Sequence, residues 1–391
     1  MILNYKYIKF LIKIVLFIIY FLFFNINIIS KFNNFISYLS FQKDIKEIEK
    51  FLKICKSLIK LKKFKINDSP KISIISPIYN RERFILRFLK SIQYQNFKNI
   101  EIILVDDCSL DNSVKIIEEV KNQDERIILI KNKRNKGTFI ARNIGVLSAK
   151  GKYLILPDPD DIISKNILSF CYCFAEKYDY EIIRFTTYRG NGIIGNIKYV
   201  TILGNKSVYQ PKLSTNIFYG NNELEMIDFA INNKFIKTIV YKKALNSLNN
   251  FYLNLFIITL EDTIINYIIM RTAKSFYFST KIGYFYLLNP ISITEHIFKI
   301  SKLRIRFGFI FLKIINDYSK NTKYEKDMVN LFLTKFIRQF EYKNIKSILS
   351  FSDFNFFYFI INIYLNYTFI TNENKYLFES LKIIVERKFK K

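Results

Sequence analysis

The sequence predicts an α/β fold. It is a doubly wound, mostly parallel sheet with flanking helices, preceded by an N-terminal membrane helix and followed by a helical C-terminal region. Three observations carry this reading. From Lys71 onward, short apolar runs alternate with amphipathic stretches at the spacing of strand–helix repeats. Ahead of them stands an apolar run long enough to span a bilayer. Half of the 391 residues are hydrophobic, with only 10 Gly and 6 Pro. That excludes a disordered or collagen-like chain and gives length for one large domain or two ordinary ones.

Residues 1–31 open with Lys6 and Lys9, then run almost uninterrupted through aliphatic and aromatic residues, with Lys13 the one charge between Phe10 and Ile29. The leading lysines favour a cytoplasmic N-terminus, and no small-residue cleavage site follows. The expectation is a retained type II anchor in an endomembrane (Golgi or endoplasmic reticulum), with an interfacial helix as the alternative. Over residues 32–69, Phe41, Ile45, Ile48, Leu52, Cys55 and Ile59 recur at steps of four and three. They predict an amphipathic helix, either a stalk or an element packed on the next domain. Asn67-Asp68-Ser69-Pro70 then breaks the chain.

The α/β series follows. KISIISP is a strand buried on both faces, residues 81–95 a helix, IEIILV (100–105) a second strand, and 111–121 a second helix capped by Asp111 or Ser109. IILIK (127–131), a helix around 138–149 and YLILP (153–157) complete it. Ligands of such sheets bind beyond the carboxyl ends of the strands, so chemistry is expected just after Ser76, Val105 and Leu156.

Composition narrows the chemistry. With 61 Lys and Arg against 33 Asp and Glu, the net charge is +28. Nucleic acid, anionic headgroups and phosphorylated small molecules would all be attracted. The lysines are spread among Ile, Asn, Phe and Tyr, with no basic stripe and no stacking platform, so no nucleic-acid partner is expected. Four cysteines make no disulfide framework. His296 is the single histidine, which excludes a multi-histidine zinc site and leaves carboxylates to carry catalysis.

The strand ends carry Pro77-Ile78-Tyr79-Asn80, Asp106-Asp107-Cys108-Ser109 and Pro157-Asp158-Pro159-Asp160-Asp161. Carboxylates gathered at one sheet edge repel one another unless a cation joins them. Asp158 and Asp160, two apart on a Pro-containing turn, suit Mg²⁺ or Mn²⁺ carrying a substrate phosphate. The alternative is an acidic turn capping a helix from Ile162 onward.

Together, the P-x-Y-N turn, the VDD-x-S loop, Asn135-x-Gly137-x-x-x-Ala141-Arg142-Asn143-x-Gly145, Ala149-x-Gly151-x-Tyr153 and the D-x-D-D turn resemble the nucleotide-sugar-binding half of family-2 glycosyltransferases of GT-A fold. The match continues more loosely to about residue 294. It implies a glycosyltransferase domain over 70–295, with a nucleotide-sugar half (70–165) and an acceptor half (166–295), and a separate helical region over 296–391. By this resemblance Pro77, Tyr79 and Asp107 frame the nucleotide base, with Asp106 beside them. Asp158 lies near the ribose and Asp160 holds a divalent metal, Mn²⁺ or Mg²⁺, on the diphosphate. Arg142 either pairs with phosphate or forms an ordinary ion pair. Pro159 stands where the family has a small residue.

In the acceptor half, Glu261-Asp262 resembles the family's acidic pair opening a helix, which implies Asp262 as catalytic base; the bare alternative is a helix cap. FIKTIVYKKAL (235–245) resembles a structural strand and turn. Tyr284, Tyr286, Ser292 and Thr294 resemble a late Tyr-x-Tyr and S-I-T ending, with Leu287 in place of the usual Arg. Cys171 and Cys173 read as core packing on an apolar helix, and FNFFYFIINIYLNYTFI (354–370) as a buried or membrane-surface helix. The resemblance implies a metal-dependent, inverting transfer of a sugar from a nucleoside diphosphate, by family habit UDP, to a hydroxyl acceptor of unknown kind (glycan, lipid or protein). The competing readings are an inactive nucleotide-sugar binder and a basic membrane-surface or nucleic-acid-binding protein.

Overall fold

The computed structural model describes residues 69–189, 192–193, 206–209, 230–258 and 260–287, together with residues 310, 311, 314, 317 and 318. The chain divides into two compact units, 1–57 and 58–391, and every described residue belongs to the second. The expected anchor over 1–31, the amphipathic helix expected from Phe41 onward, His296, and Ser292 and Thr294 all lie outside the described residues. Among the described residues no helix is long and apolar enough to cross a membrane.

The elements run β1 (Ile72–Ile78), α1 (Ile85–Gln93), β2 (Ile100–Asp106), α2 (Ser113–Lys121), β3 (Ile127–Lys131), α3 (Thr138–Ser148), β4 (Tyr153–Ile155), β5 (Ile162–Ile163), α4 (Ile167–Tyr178), β6 (Ile182–Arg189), β7 (Gly192–Ile193), β8 (Lys206–Tyr209), β9 (Lys234–Lys237), α5 (Thr238–Asn246), α6 (Asn250–Leu253), α7 (Glu261–Thr272) and β10 (Ser275–Tyr286). They build one sheet in the order β3-β2-β1-β4-β9-β6-β10-β5, with β7 on β6 and β8 on β10. Its first half is parallel: β1 pairs with β2 and β4, and β2 with β3. Beyond β4 the pairing is antiparallel except for β10 on β6. The sheet is therefore mixed rather than mostly parallel. Strands after β4 come from chain segments far apart in sequence, and no helix crossover is needed to reverse them.

Alternation along the central strands feeds two cores. Ile72, Ile74 and Ile78 of β1, with Ile102 and Leu104 of β2, pack under α1, α2 and α4 through Phe88, Leu89, Ile117 and Leu168. Ile75, Ile103 and Val105 pack on the opposite face under α3, α5 and α7 through Phe139, Val146, Tyr241 and Ile265. Burial on both faces is why these strands read as unbroken apolar runs. Gly145 makes the close approach of α3 possible, since a Cβ there would come within 2.4 Å of Ile75. Ile310, Phe311 and Ile314 are buried in this second core, so the chain beyond 295 contributes to the domain's own packing.

Several local expectations change. Residues 162–163 form a short strand paired antiparallel with β10, and the helix starts only at Ile167. The first helix begins at Ile85, after a turn. Residues 235–245 form the end of β9 and then a helix, α5, rather than a strand and turn. Cys171 is buried as expected, but Cys173 is exposed, because two residues along a helix is about 200° of rotation.

Candidate active site

At the ends of β1 and β2 two loops are stitched together. Asn80, in the left-handed region at φ 52°, accepts from the Leu110 amide at 2.8 Å and donates its own amide to Ser109 Oγ at 3.0 Å. The Arg81 amide donates to Ser113 Oγ (2.6 Å) and the Glu82 amide to Asp111 Oδ2 (3.0 Å). Asp111 also accepts from the Ser113 amide at 2.9 Å, so it serves the start of α2 from one position outside the cap. Pro77 is buried in the ladder opposite Val105, whereas Tyr79 keeps 42% exposure at the rim, with a ring face available for stacking.

Asp106 and Asp107 are both buried here. Asp106 accepts from the Ser109 amide at 3.2 Å. Asp107 braces the loop before α3: Oδ1 accepts from Asn132 Nδ2 and the Lys136 amide, each at 2.9 Å, and Oδ2 from the Gly137 amide at 2.7 Å. A carboxylate offers about four acceptor positions, so about one remains for a ligand. Gly137 sits at φ 86°, where a side chain would be strained and a Cβ would meet the Ile257 carbonyl at 3.0 Å. Asp107 thereby fixes the entry to α3, the helix that carries Arg142.

Arg142 is buried at the centre of the site. Its Nη2 donates to Asp158 Oδ1 at 2.9 Å, and its Nη1 to Asp262 Oδ1 at 2.8 Å and Glu261 Oε1 at 3.4 Å. Burial alone would lower its pKa, but the charges of Asp262, Asp158 and Glu261 outweigh that and raise it. Of the two roles weighed for Arg142 the geometry displays the ion pair. Asn232 donates Nδ2 to Asp158 Oδ2 at 3.0 Å, and the neighbouring Ile231 amide donates to Asp262 Oδ2 at 3.4 Å. Asp158 and Asp262 thus share one guanidinium and one short segment of chain. Glu261 and Asp262 occupy the first turn of α7, where helix polarity favours negative charge. Burial, with Asp262 adding repulsion, pushes Glu261 up to about 7.

The Asp158–Asp161 turn follows β4. Burial raises Asp158 to about 6 against the pull of Arg142, and repulsion from Asp262 and Asp160 adds to the rise. Asp161, almost wholly buried, is raised by burial and then by Asp160 and Asp158. Asp160 is partly exposed, and its carbonyl accepts from Arg87 Nη2 at 2.7 Å. Pro159 is accommodated, and the Asp161 amide closes the turn on the Asp158 carbonyl at 3.2 Å. Among the described residues no three His, Cys, Asp or Glu side chains gather to hold a metal unaided. A mutually repelling carboxylate group beyond the end of β4 fits a Mg²⁺- or Mn²⁺-type ion, which is typically held by one or two carboxylates together with substrate phosphates.

Sequence reasoning missed Asn232, the part Glu261 plays beside Arg142, and the hydroxyl of Tyr241, which donates to Asn143 at 3.2 Å behind the site. The polar Asn232-Asn233-Lys234 run opening β9 was the available signal for the first.

Residues 73–236 match the family described as glycosyl transferase family 2. The chain is 35% identical over 134 residues to "Glycosyltransferase GlyG" of Streptococcus pneumoniae, covering 34% of this chain and 44% of that one. It is 30% identical over 230 residues to "Uncharacterized glycosyltransferase EpsJ" of Bacillus subtilis, covering 58% and 63%. It thus spans less than two thirds of either relative. Among solved structures, that of TarS 1-349 from S. aureus in complex with UDP superposes with a TM-score of 0.58 at 17% identity, covering 81% of this chain and 89% of that one.

Proposed function

On the premise that residues 73–236 form a family-2 glycosyltransferase domain, we propose that this chain moves a sugar from a nucleoside diphosphate, UDP in the first instance, to a hydroxyl acceptor, with inversion at the anomeric carbon. The observation that carries the reading is the joining of Asp158 and Asp262 through Arg142. It brings a donor-side carboxylate and a candidate base within reach of one sugar. A domain that only binds nucleotide sugar has no use for the second.

The chain's own residues divide the work. Tyr79 stacks on the nucleobase at the rim of the cleft, beside Pro77 and the Asp106-Asp107 loop. Asp160, with Asp158, would hold a divalent cation, which would supply charge neutralisation at the diphosphate. Asp262 takes the acceptor's hydroxyl proton as its oxygen attacks the anomeric carbon opposite the leaving group; the carbon–oxygen bond to the diphosphate breaks, and one displacement inverts the centre. Arg142 orients both carboxylates and stays charged through the step. A relative solved with UDP-GlcNAc supports a nucleotide-sugar donor of this kind.

The test is a donor screen on the full-length protein: a panel of nucleotide sugars with Mn²⁺, scored for nucleotide release. The expected result is release from a UDP-sugar that EDTA stops. Nucleotide binding without release from any donor would replace this reading by that of an inactive binder. The type II anchor over 1–31 is tested apart from catalysis, by carbonate extraction and by protease protection of intact vesicles. An anchor of that kind stays in the membrane, whereas an interfacial helix is released.

A further inference from the structure

Beneath the Asp158–Asp161 turn lies a hydroxyl that core packing does not require. Tyr284 is wholly buried in β10, its ring within the core under α1 and α4. A Phe would fill the same space, and a buried hydroxyl is costly unless bonded. Here it is bonded twice to one turn. It accepts from the Asp158 amide at 3.0 Å and donates to Asp161 Oδ2 at 2.6 Å. Asp161 then reaches back to β10, its Oδ1 accepting from the Leu287 amide at 2.9 Å. Ser164 adds two bonds to the same strand, its amide to the Gly283 carbonyl (2.9 Å) and its Oγ to the Ile282 carbonyl (3.1 Å). The two-residue strand β5 continues the attachment, Tyr284 lying opposite Ile163.

We propose that Tyr284 and Asp161 are positioning residues that act as one latch: the hydroxyl and the carboxylate clamp both ends of the Asp158–Asp161 turn onto β10 and so hold Asp158 and Asp160 in place. The inference rests on the reading of those two carboxylates as the ones that serve the donor diphosphate. Asp158 is fixed at its backbone by Tyr284 and at its side chain by Arg142 and Asn232, so both its place and its direction are set. The Leu287 bond extends the latch to the exit of β10. Loosening the turn should therefore also loosen the chain where it leaves the sheet.

The experiment uses the full chain and four variants: Tyr284→Phe, Asp161→Asn, the double variant of these two, and Tyr153→Phe. The last removes another buried tyrosine's hydroxyl bond, to Glu176 at 2.7 Å, which ties β4 to α4 rather than to the turn. Two quantities are read: amide hydrogen exchange in the peptides covering 157–163 and 284–290, and the Mn²⁺ midpoint for UDP binding by calorimetry. In Tyr284→Phe and Asp161→Asn both peptides should exchange about tenfold faster and the Mn²⁺ midpoint should rise about tenfold, the scale of one buried hydrogen bond. The double variant should be no worse than the worse single, because partners in one contact are not additive. Tyr153→Phe should change neither quantity. Wild-type exchange in Tyr284→Phe overturns the latch, as does an equal effect of Tyr153→Phe. If the wild type binds UDP identically with and without Mn²⁺, the metal reading fails. Exchange alone then decides the latch: faster exchange in both peptides supports it, and unchanged exchange overturns it.

Discussion

Asp158 and Asp262, one at the end of β4 and the other in the first turn of α7, are held by opposite nitrogens of the Arg142 guanidinium at 2.9 and 2.8 Å. Only the planar fork of arginine can serve two acceptors in this way. The ion pair therefore ties the end of β4 to the start of α7, and is the first place where a substitution should tell.

Arg142→Met should cost about 3 kcal/mol of stability near pH 8, the lower end for removing one partner from a buried ion pair. The low end applies because Asp158 and Asp262 keep 30% and 26% side-chain exposure and can rehydrate in part. Urea unfolding measures it. A loss under about 1 kcal/mol would mean that water already carries these charges.

The parallel half of the sheet was legible because its strands are buried on both faces and bounded by turns. IILIK matches β3 residue for residue, β1 is displaced by one residue from the expected run, and β2 extends its run by one. The antiparallel half was not. Ile162-Ile163 is too short to show a period, and its partner β10 lies more than a hundred residues away, so only tertiary packing defines it. In the site, Arg142 and Asp158, carried by dense motifs, meet Asp262 of the more loosely matched acidic pair. Asn232 and the Tyr284 hydroxyl did not announce themselves, since an Asn before a strand or a Tyr within one has many uses, and its bond is decided by which distant turn lies beside it.

Asp160→Ala should abolish metal-dependent nucleotide binding and transfer while leaving the unfolding midpoint nearly unchanged. The side chain is partly exposed and supports no apolar packing. EDTA should silence the wild type in the same way. Full activity in excess chelator, or in the variant, sinks the assignment of a metal to this turn.

Glu261 gives the domain a pH dependence of defined sign. Its folded value of about 7 lies above its ordinary 4.5, so the folded state holds the proton more tightly. The stability this contributes is fully present below about pH 4.5 and is lost as pH rises through about 7. Glu261→Gln cannot titrate. The difference in melting temperature between variant and wild type should shift in the variant's favour from about pH 5 to about pH 8. Parallel curves across that range would remove Glu261 as the cause.

Asp262→Asn separates base from scaffold. The amide is nearly isosteric, and its oxygen can still accept from Arg142, so donor binding should stay within about twofold of wild type. It cannot take up the acceptor's proton. Turnover should therefore fall on the order of 10²–10⁴-fold, the usual contribution of a general base. Asp262 carries a competing structural load, because it accepts from the Ile231 amide as well as from Arg142. A purely structural role would show itself as weakened donor binding and a lowered melting temperature with turnover reduced less than about tenfold. The two outcomes lie on different measurements, calorimetric UDP affinity against steady-state release of nucleotide with acceptor present, so a single pair of assays on one variant distinguishes them.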